Sequence, residues 1–364
     1  MAGQVQSKLI VGKKENVADE LLLLNPYQIP VLNLVGFGEA VYNTHYGWIE
    51  DKLKSMSTVL TKAVVALDTT VEVEDASMFR ADQVIKIKEE LLRVTGVSAK
   101  VVTVERAFGG TVAGTASISD KVEIMFNLKE EGSEARESNY IPRESLFNVT
   151  QIFDDTVKVS GTAQSMAQYG IDDLYLYEKM KVQDRLAFEL EKAIVNGIRY
   201  EDGDIRMMGG IKSYIKSNIY EAAAQPINYE ILDNAMLDIF NSGAMKDATR
   251  HVLMVSAKQK QVLSTLDNSR LTVYNETNTF GRNVMAVVTN YGELPIIVNT
   301  NLEADEVMIL DANRIKVKPL QGRDFTHTYL GVTGDNIKGQ IVGEYTLEFK
   351  QELAHAWIKG LKTV

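Results

Sequence analysis

The spacing of apolar residues changes character several times along the chain. Residues 1 to about 40 hold neither the period of a helix nor that of a strand. In "LLLLNPYQIPVLNLVG" (21–36) the apolar run is broken by Asn25, Pro26, Gln28, Pro30 and Asn33. The segment therefore reads as an extended arm whose apolar side chains need a partner, either in the same subunit or outside it. "YGWIED" (46–51) follows, with Trp48 as one of only two tryptophans.

From Val64 the period becomes two: Val71 and Val73, then Val84, Ile85 and Ile87, then Leu92 and Val94, then Val101, Val102 and Val104. Gly96 with Ser98, Gly109-Gly110 and Gly114 mark the turns. The pattern predicts a small β domain of about five strands, too short to bury much core without packing on a neighbour. Glu89 and Glu90 fall at a hairpin bend, where they are expected at a solvated tip or against another subunit.

After the charged interval "LKEEGSEARESNYIPRES" (128–145) the period turns helical. "IDDLYLYEKMKVQDRLAFELEKAIVNGI" (171–198) opens on Asp172-Asp173 as cap and closes at Gly197. Steps of 100° gather Tyr175, Leu176, Met180, Val182, Leu186, Ala187, Leu190, Ala193 and Ile194 on one face. Glu178, Lys181, Asp184, Arg185, Glu189 and Lys192 fall opposite, with Arg185 and Glu189 at pairing distance. Tyr177, Phe188 and Val195 add a thinner second apolar stripe, so this rod of roughly 40 Å touches something on two sides.

Beyond Tyr200 helix and strand patterns mix. "NYEILDNAMLDIFNSG" (228–243) and "AKQKQVLSTL" (257–266) read as helices, and "HVLMV", "NVMAVVT", "LPIIVN", "EVMILD" and "RIKVKPL" as strands of a second α/β layer. In "GEYTLEFKQELAHAWIKGL" (343–361), Tyr345, Leu347 and Phe349 alternate with Glu344, Thr346, Glu348 and Lys350. That predicts a half-buried strand running into a short terminal helix with Trp357.

Composition narrows the chemistry. At 364 residues, 45% apolar and 24% charged, the chain is an ordinary folded protein of two or three domains, without repeats or low-complexity tracts. Having no cysteine, it can form neither disulfides nor thiolate metal sites. A net charge of −10 repels nucleic acid at long range, and the one basic pair, Lys13-Lys14, is followed at once by Glu15. The broken arm cannot span a bilayer, and Glu15, Asp19 and Glu20 spoil a signal peptide, so a cytoplasmic protein is expected.

No enzyme motif survives inspection. "GDNIKG" (334–339) has P-loop glycine spacing but places Gln340 where the phosphate-binding lysine belongs. "FGGTVAG" (108–114) is followed by no helix and reads as a hairpin loop, and "EDGD" (201–204) lacks the remaining ligands of a calcium loop. His45, His251, His327 and His355 stand singly, with no metal-ligand spacing around them. The expectation is a protein without catalytic residues, cofactor or metal.

The order of parts is arm, β excursion, long helix, α/β domain and closing strand. "NPYQIPVLNLVG" (25–36), "VSGTA" (159–163), "LAFELEKAIVNG" (186–197), "MGGI" (208–211), "RDF" (323–325), "GD" (334–335) and the 343–361 segment occur within it in this order. The set resembles the major capsid proteins of tailed bacteriophages with the Hong Kong 97-type fold, in the subgroup with a β module inserted in the extended loop. The resemblance implies an α+β fold: an N-terminal arm (1–45), an extended loop (46–140) carrying a small β domain (about 64–125), and a peripheral domain (141–204) with a spine helix (171–198). An axial α/β domain (205–335) and a return to the peripheral domain (336–364) complete it.

It also implies self-assembly through pentamers and hexamers into an icosahedral head, a virion component built in the host bacterial cytoplasm. The shell would enclose double-stranded DNA without sequence-specific binding, with portal, scaffolding and decoration proteins as further partners. Scaffolding would come from another chain or be absent. The assembly contacts it implies are Pro26, Tyr27, Pro30, Trp48, Lys86, Lys88, Glu89, Glu90, Tyr177 and Phe188. Lys86 and Lys88 lie in the loop, but no asparagine or acid of a Lys–Asn crosslink can be matched, so none is expected. An encapsulin-like nanocompartment shell protein, or a receptor-binding tail or baseplate protein, stays open as an alternative.

Overall fold

A computed structural model describes residues 29–363, apart from 130, 133, 136–141, 168–170, 246–249, 267–270, 275–282 and 333. The chain divides into two compact units: residues 49–144, and residues 1–48 with 145–364.

The smaller unit is one antiparallel sheet of six strands, in the order Ser57–Val59, Lys121–Asn127, Gln83–Ile87, Glu90–Ser98, Val101–Glu105 and Thr70–Glu72. Its two edges meet. Thr61 N–H donates to the Glu72 carbonyl at 3.0 Å and Glu74 N–H to that of Val59 at 3.1 Å, so the sheet closes into a barrel without free edges. Sixteen buried apolar side chains, among them Leu60, Ile85, Leu92, Val102 and Val122, fill it. The expectation of a module too small for its own core is thereby corrected, because closure lets every strand bury its inward residues.

In the larger unit the 14-residue strand Asn336–Phe349 is the axis of a four-stranded sheet. It pairs with Gln151–Ser160 on one side, and on the other first with Thr326–Val332 and then with Ile315–Pro319. The long helix Leu174–Asn196 packs Val182, Leu186, Leu190, Ile194 and Val195 into the core this sheet shares. Asp173 caps it, accepting from Leu176 N–H at 3.1 Å. Arg185 pairs with Asp155 of the adjacent strand instead of Glu189, since the sheet edge lies beside the helix there.

Residues 29–41 pack on their own subunit. Pro30 takes the first helical position of Pro30–Val35, where its missing N–H costs nothing, and Val31, Leu32 and Val35 join the same core. Phe37 and Val41 then bridge in parallel to Val317 and Leu320.

A second core lies in the same unit, around a mixed seven-stranded sheet ordered Ile219–Glu221, Ala356–Lys359, Val307–Asp311, His251–Val255, Gly292–Val298, Asn283–Thr289 and Leu271–Tyr274. The helices Tyr229–Asn241 and Ala257–Leu263, capped by Asn228 and Ser256, pack into it. The helix expected around Trp357 shrinks to one 3-10 turn, Glu352–Ala354, and Trp357 lies in a strand. Neighbouring backbone decides this: Trp357 N–H donates to the Asn218 carbonyl at 2.9 Å, and Ile358 pairs with Val307.

Candidate assembly surfaces

Charged residues inside the larger unit set its rigid frame. Glu344 is buried and accepts from Thr150 Oγ1 (2.6 Å), Arg206 Nη2 (2.9 Å) and Arg323 Nε (3.0 Å). Glu348, also buried, meets Lys350 Nζ (2.8 Å), the Tyr46 hydroxyl (2.9 Å) and Lys318 Nζ (3.3 Å). Burial pushes the Glu348 carboxyl up, but these three donors outweigh it and hold it below the usual carboxylate range. The face of 343–349 expected in solvent is thus buried, because each carboxylate on it has a compensating donor from another element.

Glu191 is a second buried carboxylate that the alternation did not reveal. Its oxygens accept from Val31 N–H, Leu32 N–H and Asn299 Nδ2, each at 2.9 Å. It caps a helix whose own N-cap, Ile29, has no side-chain acceptor. A sequence signal existed: steps of 100° place Glu191 between Ala187 and Val195, where the main apolar arc borders the thinner second stripe.

Of the residues named from the sequence as assembly contacts, Pro26 and Tyr27 lie outside the described residues. Trp48 is buried, its ring 5.8 Å from that of Tyr214. Tyr177 and Phe188 are half-buried on the long helix, under the ammonium groups of Lys181 and Lys192. Lys86, Lys88 and Glu89 lie together at one hairpin, where Lys88 reaches Asp120 at 2.8 Å and Glu89 is almost fully exposed. Glu90 departs from the solvated-tip expectation. It points into the barrel mouth, bound twice by Arg106 at 2.7 Å and by the N–H groups of Ala107 (3.1 Å) and Gly114 (3.0 Å).

Both units leave large apolar side chains uncovered: Leu67 and Val112 on the barrel loops, Leu176 and Met180 on the long helix, Phe240 on Tyr229–Asn241, and Tyr329 and Val332 on Thr326–Val332. Such surface is what association between subunits buries. Among the described residues no group of three His, Asp or Glu could hold a metal ion, and no helix is long and apolar enough to cross a membrane. "EDGD" is the turn between Tyr200–Asp202 and Ile205–Met207, and "FGG" a 3-10 turn.

Comparison with known proteins agrees with this picture. The sequence matches the SU10 major capsid protein family over residues 3–362. No curated protein sequence matches. Among solved structures, the Cyanophage A-1(L) capsid asymmetric unit aligns with a TM-score of 0.56 at 10% identity, over 98% of each chain. The capsid of the native GTA particle gives 0.55 at 8% identity over 97% of each. The capsid of Myoviridae Phage XM1 gives 0.51 at 11% identity, over 99% of this chain and 100% of that one. At such identities the likeness is one of fold.

Proposed function

The chain belongs to the SU10 major capsid protein family, and from its capsid fold and shell-forming role we propose that it assembles through pentamers and hexamers into an icosahedral phage head. The match across nearly the whole chain carries this reading. The uncovered apolar residues support it, since they provide area for many modest contacts at about 25 cal/mol per Å² buried.

In this reading the shell encloses double-stranded DNA, and the net charge of −10 keeps the wall from binding the duplex while it is packed and released. The barrel on the extended loop, with Lys86, Lys88 and Glu89 at one hairpin, reinforces contacts between subunits without a covalent crosslink. Assembly takes place in the host bacterial cytoplasm, with portal, scaffolding and decoration proteins as additional partners.

Negative-stain microscopy of the purified full-length protein tests the proposal. Closed shells or five- and six-membered rings are expected. A stable monomer under conditions of high concentration and moderate salt would overturn it.

A further inference from the structure

The larger unit carries a positively charged groove and an acidic hairpin whose chemistries match. The groove, of about 320 Å³, lies along Ile315–Pro319 and is lined by Arg314, Lys316, Lys318 and Lys350. Asp311 neutralises Arg314, while Lys318 and Lys350 share Glu348. Glu39 is the one other carboxylate of the lining, so the four cations exceed these three carboxylates by one. That is a local excess of positive charge on a chain of net −10, and Lys316 has no ion pair among the described residues. Phe37 forms the rim, 52% exposed, its ring held 5.5 Å from that of Tyr345.

The hairpin pairs Tyr200–Asp202 with Ile205–Met207 and carries Glu201, Asp202 and Asp204 around its turn. No Lys or Arg pairs with any of the three among the described residues. Glu201 meets only His45, at 2.9 Å, and Asp202 only the Tyr200 hydroxyl, at 3.4 Å. Ile205 stands beside them, 69% exposed. An acidic turn flanked by an exposed isoleucine thus complements a basic groove rimmed by an exposed phenylalanine.

The two features do not satisfy one another within a subunit. Strand His45–Glu50 touches the hairpin through His45 and the groove through Tyr46, whose hydroxyl contacts Lys318 at 2.8 Å. Consecutive side chains of a strand point to opposite faces, so His45 and Tyr46 hold the acidic turn and the groove as separate patches. Arg206 of the hairpin and the groove cations bind Glu344 and Glu348 of one strand, Asn336–Phe349. Two separate complementary patches make a head-to-tail contact, and head-to-tail contacts repeat into rings when the rotation closes.

We propose that the Tyr200–Met207 hairpin of one copy docks in the Arg314–Lys316–Lys350 groove of the next, placing Asp204 against Lys316 and Ile205 against Phe37. This contact links the subunits within one ring, and it rests on the shell-forming reading above. Steering by these charges makes assembly salt-sensitive.

Charge reversal in the full-length protein tests it by sedimentation velocity. Asp204→Lys and Lys316→Glu are each expected to raise the concentration needed for assembly about threefold or more, and the two together to restore it. Since the native chain has no cysteine, a variant carrying both Asp204→Cys and Lys316→Cys gives a second reading. On oxidation it should form a ladder in multiples of 40.5 kDa, whereas either change alone should not. If wild type assembles but the single reversals match it, or the pair is no better than the worse single, this contact is wrong and the shell reading stands. Absence of the ladder in assembled particles overturns it equally. Failure of wild type to assemble at all removes both.

Discussion

Glu90 and Arg106 face each other across the mouth of the barrel, with both carboxylate oxygens 2.7 Å from guanidinium nitrogens. The remaining guanidinium hydrogens bind the carbonyls of Val65, Asp68 and Gly114, so one ion pair ties two loops to the sheet. Exposed Leu67 and Val112 ride on those loops. The pair thus sets which apolar groups the barrel offers to a neighbour.

Truncating Arg106→Met leaves Glu90 buried without its cation. That loss is expected to cost about 3 kcal/mol, within the range for broken buried pairs. Hydrogen exchange on the full chain should rise at 65–68 and 107–116 while the long helix keeps its protection. Unchanged exchange in those loops would show that other contacts hold them.

Acid should open the same mouth. Burial pushes the Glu90 carboxyl up, but Arg106 and the N–H groups of Gly114 and Ala107 outweigh it and hold it below the usual range. A carboxyl depressed in the fold contributes stability above its unfolded pKa that is lost as pH falls through the folded value. Loop exchange in wild type should therefore rise below about pH 4, and Glu90→Gln should flatten that response.

At Glu191 the sign is opposite. Burial raises its carboxyl in spite of donors from Val31, Leu32 and Asn299. Its contribution to stability is complete below the unfolded pKa and declines as pH rises through the folded one. All three partners are donors, so Glu191→Gln turns an amide N–H toward another N–H and should cost about 1–3 kcal/mol. Urea unfolding of the unassembled subunit measures this, and a neutral result would mean that Pro30–Val35 adds nothing to the fold.

These carboxylates also mark the limit of what the sequence disclosed. Periodicity reports which side of an element is covered, and it located the long helix, four of the six barrel strands and most of the seven-stranded sheet. It treats charge as solvent-facing. Glu90, Glu191, Glu344 and Glu348 are all buried, and the donors around Glu191 come from residues 108 to 160 positions away. Barrel closure was hidden for a similar reason, since it depends on the three-residue strand Ser57–Val59 and a bridge from Leu60 to Val73. The hairpin and groove proposed as an interface were legible as local elements, the one as "EDGD" and the other as "RIKVKPL". Their complementarity became visible only with the strand that touches both.

The "MGGI" segment supplies a steric prediction. A Cβ on Gly210 would stand 2.6 Å from the Ala193 carbonyl and 2.6 Å from Gly197 N, both backbone atoms of the long helix and its end. Neither can swing away, so Gly210→Ala should leave the subunit largely insoluble. Gly203, at φ 57 in the hairpin turn, has open space around it. Gly203→Ala there meets only backbone strain of about 1 kcal/mol and should give soluble protein. Equal solubility of the two variants would show that the helix end shifts freely.

Buried histidines give the subunit a second sensitivity to acid, in its seven-stranded sheet. His355 is fully buried: its Nδ1 accepts from Asp311 N–H at 3.1 Å and its Nε2 stands 3.3 Å from the Lys350 carbonyl. Burial dominates and lowers its pKa to about 3, well under the ordinary 6.5, against the pull of the Lys350 carbonyl and Asp311. His251 sits on the partner strand and is lowered as well, chiefly by burial, with Asp311 opposing and Arg314 assisting. A base depressed in the fold contributes stability that is complete above its unfolded pKa and lost as pH falls toward the folded value. Between pH 6 and 4 His355 should therefore remove up to about 1.4 kcal/mol per pH unit from the unassembled subunit, and His251 should act in the same direction. His355→Gln, which stays neutral, should lower stability at pH 7 yet reduce the acid slope by close to one proton. Denaturant titrations at several pH values measure both quantities, and an unchanged slope would assign the acid response to His251 and the carboxylates instead.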